Sequence, residues 1–425
     1  DTFFTQINKT DVRSTLLNEL DELTRVNPDA FDASVETAIF SLSKSSSKSN
    51  EVRLIDSYGV DLKSSPQLLT LIVYDESYSV SIGEVSYETK RSNLGEHTIY
   101  QLNRELYRKS INNSFFTPTE LNTEIFGEFI APFNSVYDRW QNEIADTSNL
   151  EKSLPEVESL IQETSPGEIL PFGLLTVGGQ GISMRTNKDF IHVLEGTKKA
   201  KRIEEEDSYS RSKLYKTVKE EKVIHDASQL SEEEKLHGVA NDANRTFVKV
   251  TRESKSRDLY FCPTDEFVDW SRDNVDKLKD QGVPRNDQYY LNQGIATKQG
   301  GGVRNLECRM IEPSVFTNTN LVFFSIAEEK ADLKYMMAIL NSTFSGYIAK
   351  NFLNRIGLST RDVRRLPIKI PDDDEKEKIV GLVEDAIQIQ KKRPDVLDDP
   401  DMDAIEEIDR ELDEAVAELY GVDLE

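Results

Sequence analysis

The end of the chain sets the firmest limit on the fold. Beyond Pro371, Ile379, Leu382, Val383, Ala386 and Ile387 recur at helical spacing. Ile405, Ile408, Leu412, Ala415 and Leu419 then step by three and four, as a coiled-coil seam does. Pro394 to Pro400 separates the two runs, so an antiparallel helical hairpin is expected over 372–425. Its apolar seam must be covered, either by its own domain or by a partner subunit.

The rest of the 425 residues exceeds one core, and at about 100–200 residues per domain two or three units are expected. Val12, Leu16, Leu17 and Leu20 predict a helix, Asn27-Pro28-Asp29 a break, and Val35 to Leu42 a strand, so 1–60 reads as the tail of an α/β unit. Ser41 to Asn50 is a Ser/Lys linker or exposed turn. The connecting region 61–166 is β-rich first, through Leu68–Tyr74 and Ser77–Tyr87. It turns helical over 118–164, with Pro155 and Pro166 as breaks. From 167 to 371 short strands alternate with glycine turns, and 198–222 and 226–236 are dense in charge, predicting solvated helices or loops. The fold class is mixed α/β.

Composition excludes several functions. With 37% apolar and 30% charged residues the chain is neither a disordered tail nor collagen-like. No apolar run reaches the 18 or so residues of a membrane span. The start, Asp1-Thr2-Phe3-Phe4, has neither an initiator Met nor a signal pattern, which predicts a cytoplasmic chain and a processed or excised piece of a longer one. Cys262 and Cys308 form no CxxC, so neither a disulfide framework nor a structural zinc site is expected. His97, His192, His225 and His237 lack HExxH spacing, and no GxSxG or P-loop occurs, so no metal or nucleophilic hydrolysis is expected. Glu328-Glu329-Lys330 reads as a solvated helix face rather than a nuclease site. Gly178-Gly179-Gln180-Gly181 and Gly300-Gly301-Gly302 are either phosphate cradles or plain tight turns.

The net charge of −25 argues against nucleic acid, but its distribution weakens that objection. Residues 371–425 hold 21 acidic against 6 basic side chains, leaving 56 against 46 for the preceding 370. The remainder is spread as in a protein adapted to strong salt, where the Debye length falls to about 3 Å.

Several pieces resemble one family in its own order. Asn27-Pro28-Asp29-Ala30-Phe31-Asp32, followed by Val35-Glu36-Thr37-Ala38-Ile39, is similar to a late segment of N6-adenine DNA methyltransferases, an aromatic turn before a V-x-T-x-I strand. Gly179-Gln180-Gly181-Ile182 and Thr186 to Phe190 resemble the start of their target-recognition domain. Leu333 to Ser342 resembles its "YLLALLNS" helix, Leu366 to Pro371 its last strand, and Glu407-Ile408-Asp409 through Leu419-Tyr420-Gly421-Val422 its "EID…LYGL" tail. The set resembles the TaqI-like specificity region of large restriction-modification methylases, the BREX phage-defence methyltransferase included. The F-x-G-x-G of S-adenosylmethionine binding and the [DNS]-P-P-[YFW] of the reacting amine are missing. The resemblance therefore implies that 1–60 is the C-terminal, Rossmann-like edge of a methyltransferase domain and that this chain alone does not methylate. The donor S-adenosylmethionine belongs to the complete enzyme.

On that resemblance Phe31 stacks on the flipped-out adenine, the alternative being a core Phe. Gly179, Gln180 and Gly181, with Arg185 and Lys188, are expected to approach DNA, or else form an exposed hairpin. The stretch 285–309, with Arg285, Asn292, Gln293, Arg304 and Arg309, combines the side chains that pair with guanine and adenine edges, though a hydrated surface loop explains it equally. Arg361, Arg364 and Arg365 are assigned to phosphates, or to ion pairs with the acidic tail. The Tyr335 to Leu340 helix is core. The expected function is DNA target recognition for an adenine-N6 methyltransferase, with double-stranded DNA and a methyltransferase core or other defence-system subunits as partners. The alternatives are a non-enzymatic interaction subunit and an acidic DNA mimic.

Overall fold

The computed structural model describes residues 10–26, 37–42, 50–57, 72–94, 97–110, 115–132, 150–183, 190–205, 216–252, 258–298, 306–353 and 359–423. The fold is mixed α/β and divides into two units: Asp1–Ser153 with Tyr347–Leu358, and Leu154–Gly346 with Ser359–Glu425.

The first unit is built on one six-stranded sheet. Its strands are β1 (Leu20–Val26), β2 (Thr37–Leu42), β3 (Glu51–Ser57), β4 (Glu76–Ile82), β5 (Val85–Leu94) and β6 (His97–Asn103), in the order β2-β1-β3-β6-β5-β4. Only β1 and β3 pair in parallel; every other neighbour is antiparallel. Strands expected on either side of residue 60 thus share one sheet, because β3 pairs with β6. Helix Thr10–Glu19 precedes β1 directly, and Leu17, Leu20 and Leu23 are buried. The expected single strand Ser77–Tyr87 is a hairpin turning at Gly83, at φ +62°. At the carboxyl end of β3, Ser57 Oγ and His97 Nδ1 share a buried hydrogen bond of 2.8 Å. An aromatic cluster holds the helical part: Phe116 stacks on Phe126 at 5.0 Å and meets Phe352 at 5.2 Å.

The second unit begins in helix Leu150–Glu163, which contains Pro155 rather than breaking at it. Next come β7 (Ile169–Pro171), β8 (Thr176–Gln180), β9 (Ile191–Leu194), β10 (Lys216–Val218), β11 (Phe247–Thr251), β12 (Tyr260–Cys262) and β13 (Glu266–Asp269). The last strands are β14 (Gly294–Lys298), β15 (Arg309–Ile311), β16 (Val315–Phe316), β17 (Asn320–Ser325) and β18 (Pro367–Lys369). They form two five-stranded sheets, β10-β9-β13-β11-β16 and β12-β15-β14-β17-β8, while β18 pairs antiparallel with β7. The two ends of 167–371 are thereby joined. All three residues of β12 and of β15, and five of the six in β17, are buried, as in a sheet covered on both faces.

Helix Leu333–Asn341, capped by Asp332, lies in the core as expected. Its Asn341 clamps the Cys308 backbone, accepting from its N at 2.5 Å and donating to its O at 2.9 Å. The C-terminal hairpin is present, as helices Asp373–Lys391 and Met402–Tyr420. Lys378 near the start of the first pairs with Glu418 near the end of the second at 3.4 Å, so they run antiparallel. Its seam packs on its own unit. Tyr420 stacks on Phe344 at 4.1 Å, and its hydroxyl accepts from Lys369 N and donates to Pro367 O. Gln390 donates to Leu259 O, and Tyr260 donates to Asp409.

Candidate nucleic-acid interface

Strand β8 is the edge of its sheet, paired only with β17, so its other side presents unpaired carbonyls. Two of these, spaced two residues apart, are met by side chains from distant segments. Arg364 Nη2 donates to Gly178 O at 2.7 Å, and Asn286 Nδ2 donates to Gln180 O at 2.8 Å. The Arg285 guanidinium donates to the Gln180 side-chain carbonyl. A Cβ at Gly179 would stand 3.4 Å from Asn286 Nδ2 and 3.5 Å from Thr360 Cγ2, which puts this backbone between the two segments. The expected glycine turn is not one: Gly178, Gly179 and Gln180 lie within β8. The glycines are required by contact with neighbouring backbone, since a Cβ at Gly178 would come within 2.3 Å of Val322 O and one at Gly181 within 1.9 Å of Phe316 O.

Each docked segment is itself fixed. After helix Arg272–Gln281 the chain bridges Ser183 and Val283 through two backbone bonds of 3.1 Å, and Asn286 then turns it at φ +55°, a left-handed conformation Asn tolerates. Tyr290 Oη donates to Arg285 O at 3.1 Å, and Tyr289 stacks on Phe324 of β17 at 5.3 Å. On the other side, helix Thr360–Val363 is closed by a capping box in which Ser359 and Asp362 satisfy each other's backbone N–H. Arg285 and Arg361 are exposed, and Arg364 is half-buried. Three stretches singled out in the sequence therefore meet at one sheet edge, although Gln180 and Arg285 are 105 residues apart and Gly178 and Arg364 are 186.

Other expected site residues lie elsewhere. The stretch 285–309 is not one loop, for it contains β14 and the start of β15. Asn292 accepts from Lys235 at 3.4 Å, and Gln293 lines a cleft of about 380 Å³ with Phe261, Lys334, Glu384 and Lys391. Both precede the Gly294 end of β14, while the register places Gln180 beside Leu321, whose β14 partner is Thr297. Arg309 is fully buried in an interior strand and donates to Glu307 O at 2.6 Å, so it does not reach a groove from this position. The apolar run Cys308-Arg309-Met310-Ile311 was the signal of that burial. Burial also pushes the Cys262 and Cys308 thiols up to about 12, away from reactivity at neutral pH. Arg365 is 3% exposed and is likewise removed from the surface. Asn286, expected with 285–309 to read base edges, instead spends its amide on the Gln180 carbonyl, and Thr360 packs beside Gly179. Phe31, Arg185, Lys188 and Arg304 lie outside the described residues, as do Gly300 to Gly302.

Among the described residues no group of three or more His, Cys, Asp or Glu is arranged to hold a metal, and no helix is long and apolar enough to cross a membrane. No protein-family model matches the chain, and no curated protein matches it.

Proposed function

We propose that this chain provides DNA target recognition for an adenine-N6 methyltransferase of a restriction-modification or phage-defence system. The convergence of 178–181, 285–286 and 360–364 at the β8 edge carries the reading. That edge presents the exposed cations Arg285 and Arg361 on a backbone fixed by Asn286 and Arg364. Fixed cations position phosphates, and preorganised donors beside them read base edges. Arg361 is assigned to phosphate and the Arg285 side to the groove. Phe31 would receive the flipped adenine, on the resemblance alone.

S-adenosylmethionine is the methyl donor of the complete enzyme on this reading. Among the described residues of the first unit the glycines are Gly83, in a hairpin turn, and Gly127, in the π-helical turn Phe126–Ile130. Neither follows the parallel strands, and the F-x-G-x-G of donor binding is missing from the sequence, so methyl transfer is assigned to a separate core. The hairpin's buried seam counts against docking a partner through that face, which favours recognition over the interaction-subunit reading.

The test is duplex binding by fluorescence anisotropy. Arg285→Ala with Arg361→Ala is expected to weaken binding at least about tenfold, whereas Lys391→Ala with Lys392→Ala on the hairpin removes the same charge with little effect. Equal losses in both pairs would contradict the assignment.

A further inference from the structure

We infer that the Arg285–Gln180 pair reads a guanine through its major-groove edge; this rests on the DNA-recognition reading above. A guanidinium only donates, so the Gln180 atom facing it must be the carbonyl Oε1, and the amide Nε2 carries the two remaining hydrogens. The two backbones that carry the pair are each held: Asn286 donates to the Gln180 carbonyl, and Tyr290 donates to that of Arg285. The nearest carboxylate along the chain, Asp287, is paired with Lys279 at 3.1 Å. Among the described residues no partner is found for Gln180 Nε2. Arg285 takes one of the two lone pairs of Oε1, so the pair presents donors in excess, with a cation beside the one acceptor site that is left.

Base edges in the major groove differ in that respect. Guanine offers two acceptors, N7 and O6. Adenine offers one acceptor and one donor, cytosine a donor, and thymine one acceptor beside a methyl group. A glutamine acting alone pairs with adenine by using both its carbonyl and its amide. With the Arg285 guanidinium beside Oε1, adenine would set its N6 donor against a cation, which disfavours the adenine mode and makes a two-acceptor edge the better match. A phosphate also accepts such donors, so the experiment must separate the two.

The full chain is measured on a duplex selected for binding from a random library, with each guanine replaced in turn by 7-deazaguanine, which lacks N7 but leaves every phosphate in place. One guanine is expected to lose about ten- to hundredfold in affinity when so replaced. Arg285→Ala frees Oε1 and should move the preference at that same position from guanine toward adenine. Arg285→Lys keeps the charge, loses the planar fork, and should abolish the guanine preference while retaining the salt dependence. If every 7-deazaguanine is neutral and Arg285→Ala weakens all sequences alike, lowering the salt slope by about one, the inference is overturned and Arg285 is a phosphate contact, while target recognition stands. If the wild-type chain selects no sequence at all, both fall.

Discussion

A methyl group added at Gly178 would put a Cβ 2.3 Å from the Val322 carbonyl oxygen, on a backbone at φ +115° that L side chains rarely adopt. Gly178→Ala should therefore lower stability by about 3 kcal/mol. Gly83, at φ +62° with open space around it, should lose only about 1 kcal/mol on the same change. Chemical denaturation of both variants checks this. Asp265 and Glu266 are adjacent, both 5% exposed, and shifted in opposite directions. Burial raises both carboxyls, but for Glu266 the Arg252 hydrogen bonds at 2.6 and 2.8 Å and the Lys199 ammonium outweigh it and hold it below its ordinary 4.5. For Asp265, with Lys199 Nζ at 3.6 Å, burial prevails and the pKa stands above 3.8. A depressed carboxyl stabilises the fold above its unfolded pKa, and that stability is lost as pH falls through the folded value. A raised one does the reverse, its ionised form disfavouring the fold at neutral pH. Glu266→Gln is thus expected to lose about 3–5 kcal/mol at pH 7, shrinking below pH 4.5, whereas Asp265→Asn raises the melting temperature at pH 7, with the gain vanishing in acid. Identity alone did not tell Arg285 from Arg309; what separates them is the Met-Ile continuation that places Arg309 in a covered strand, against the Pro284-Arg285-Asn286 turn that leaves Arg285 outside.

Where packing follows one unbroken period, elements were legible. The hairpin is the clearest case, because Leu412, Ala415 and Leu419 repeat without interruption and are buried where the seam predicts. Leu412→Ala is expected to lower stability by about 2–5 kcal/mol, while Met402→Ala at the partly exposed helix start should stay within about 0.5 kcal/mol; comparable losses at both would contradict packing of the seam on its own unit. Strand β1 was missed for a local reason. A bulge between Leu20 and Glu22 shifts its register, so the buried Leu20 and Leu23 stand three apart, a helical rather than a strand spacing. In the same way Gly178 and Gly179 read as a turn in sequence, whereas their lack of Cβ serves close contact between strand backbones. The cluster at β8 depends on hydrogen bonds across 105 and 186 residues, which no periodicity encodes.

Over the whole molecule, charge and site pull in different directions. The chain carries −25, concentrated toward its end, while Arg285 and Arg364 both contact the β8 edge. A surface so acidic attracts duplex weakly through phosphates alone, and salt weakens that term further, so base contacts and duplex shape must supply a larger share of any specific affinity. The selection that discriminates is therefore one run at both low and high salt, from a random duplex library, with and without a separately supplied methyltransferase core. Target recognition predicts one adenine-containing motif, enriched at low and high salt and bound at least about tenfold more weakly by the Arg285→Ala, Arg361→Ala variant. No enriched motif under any of these conditions would contradict it.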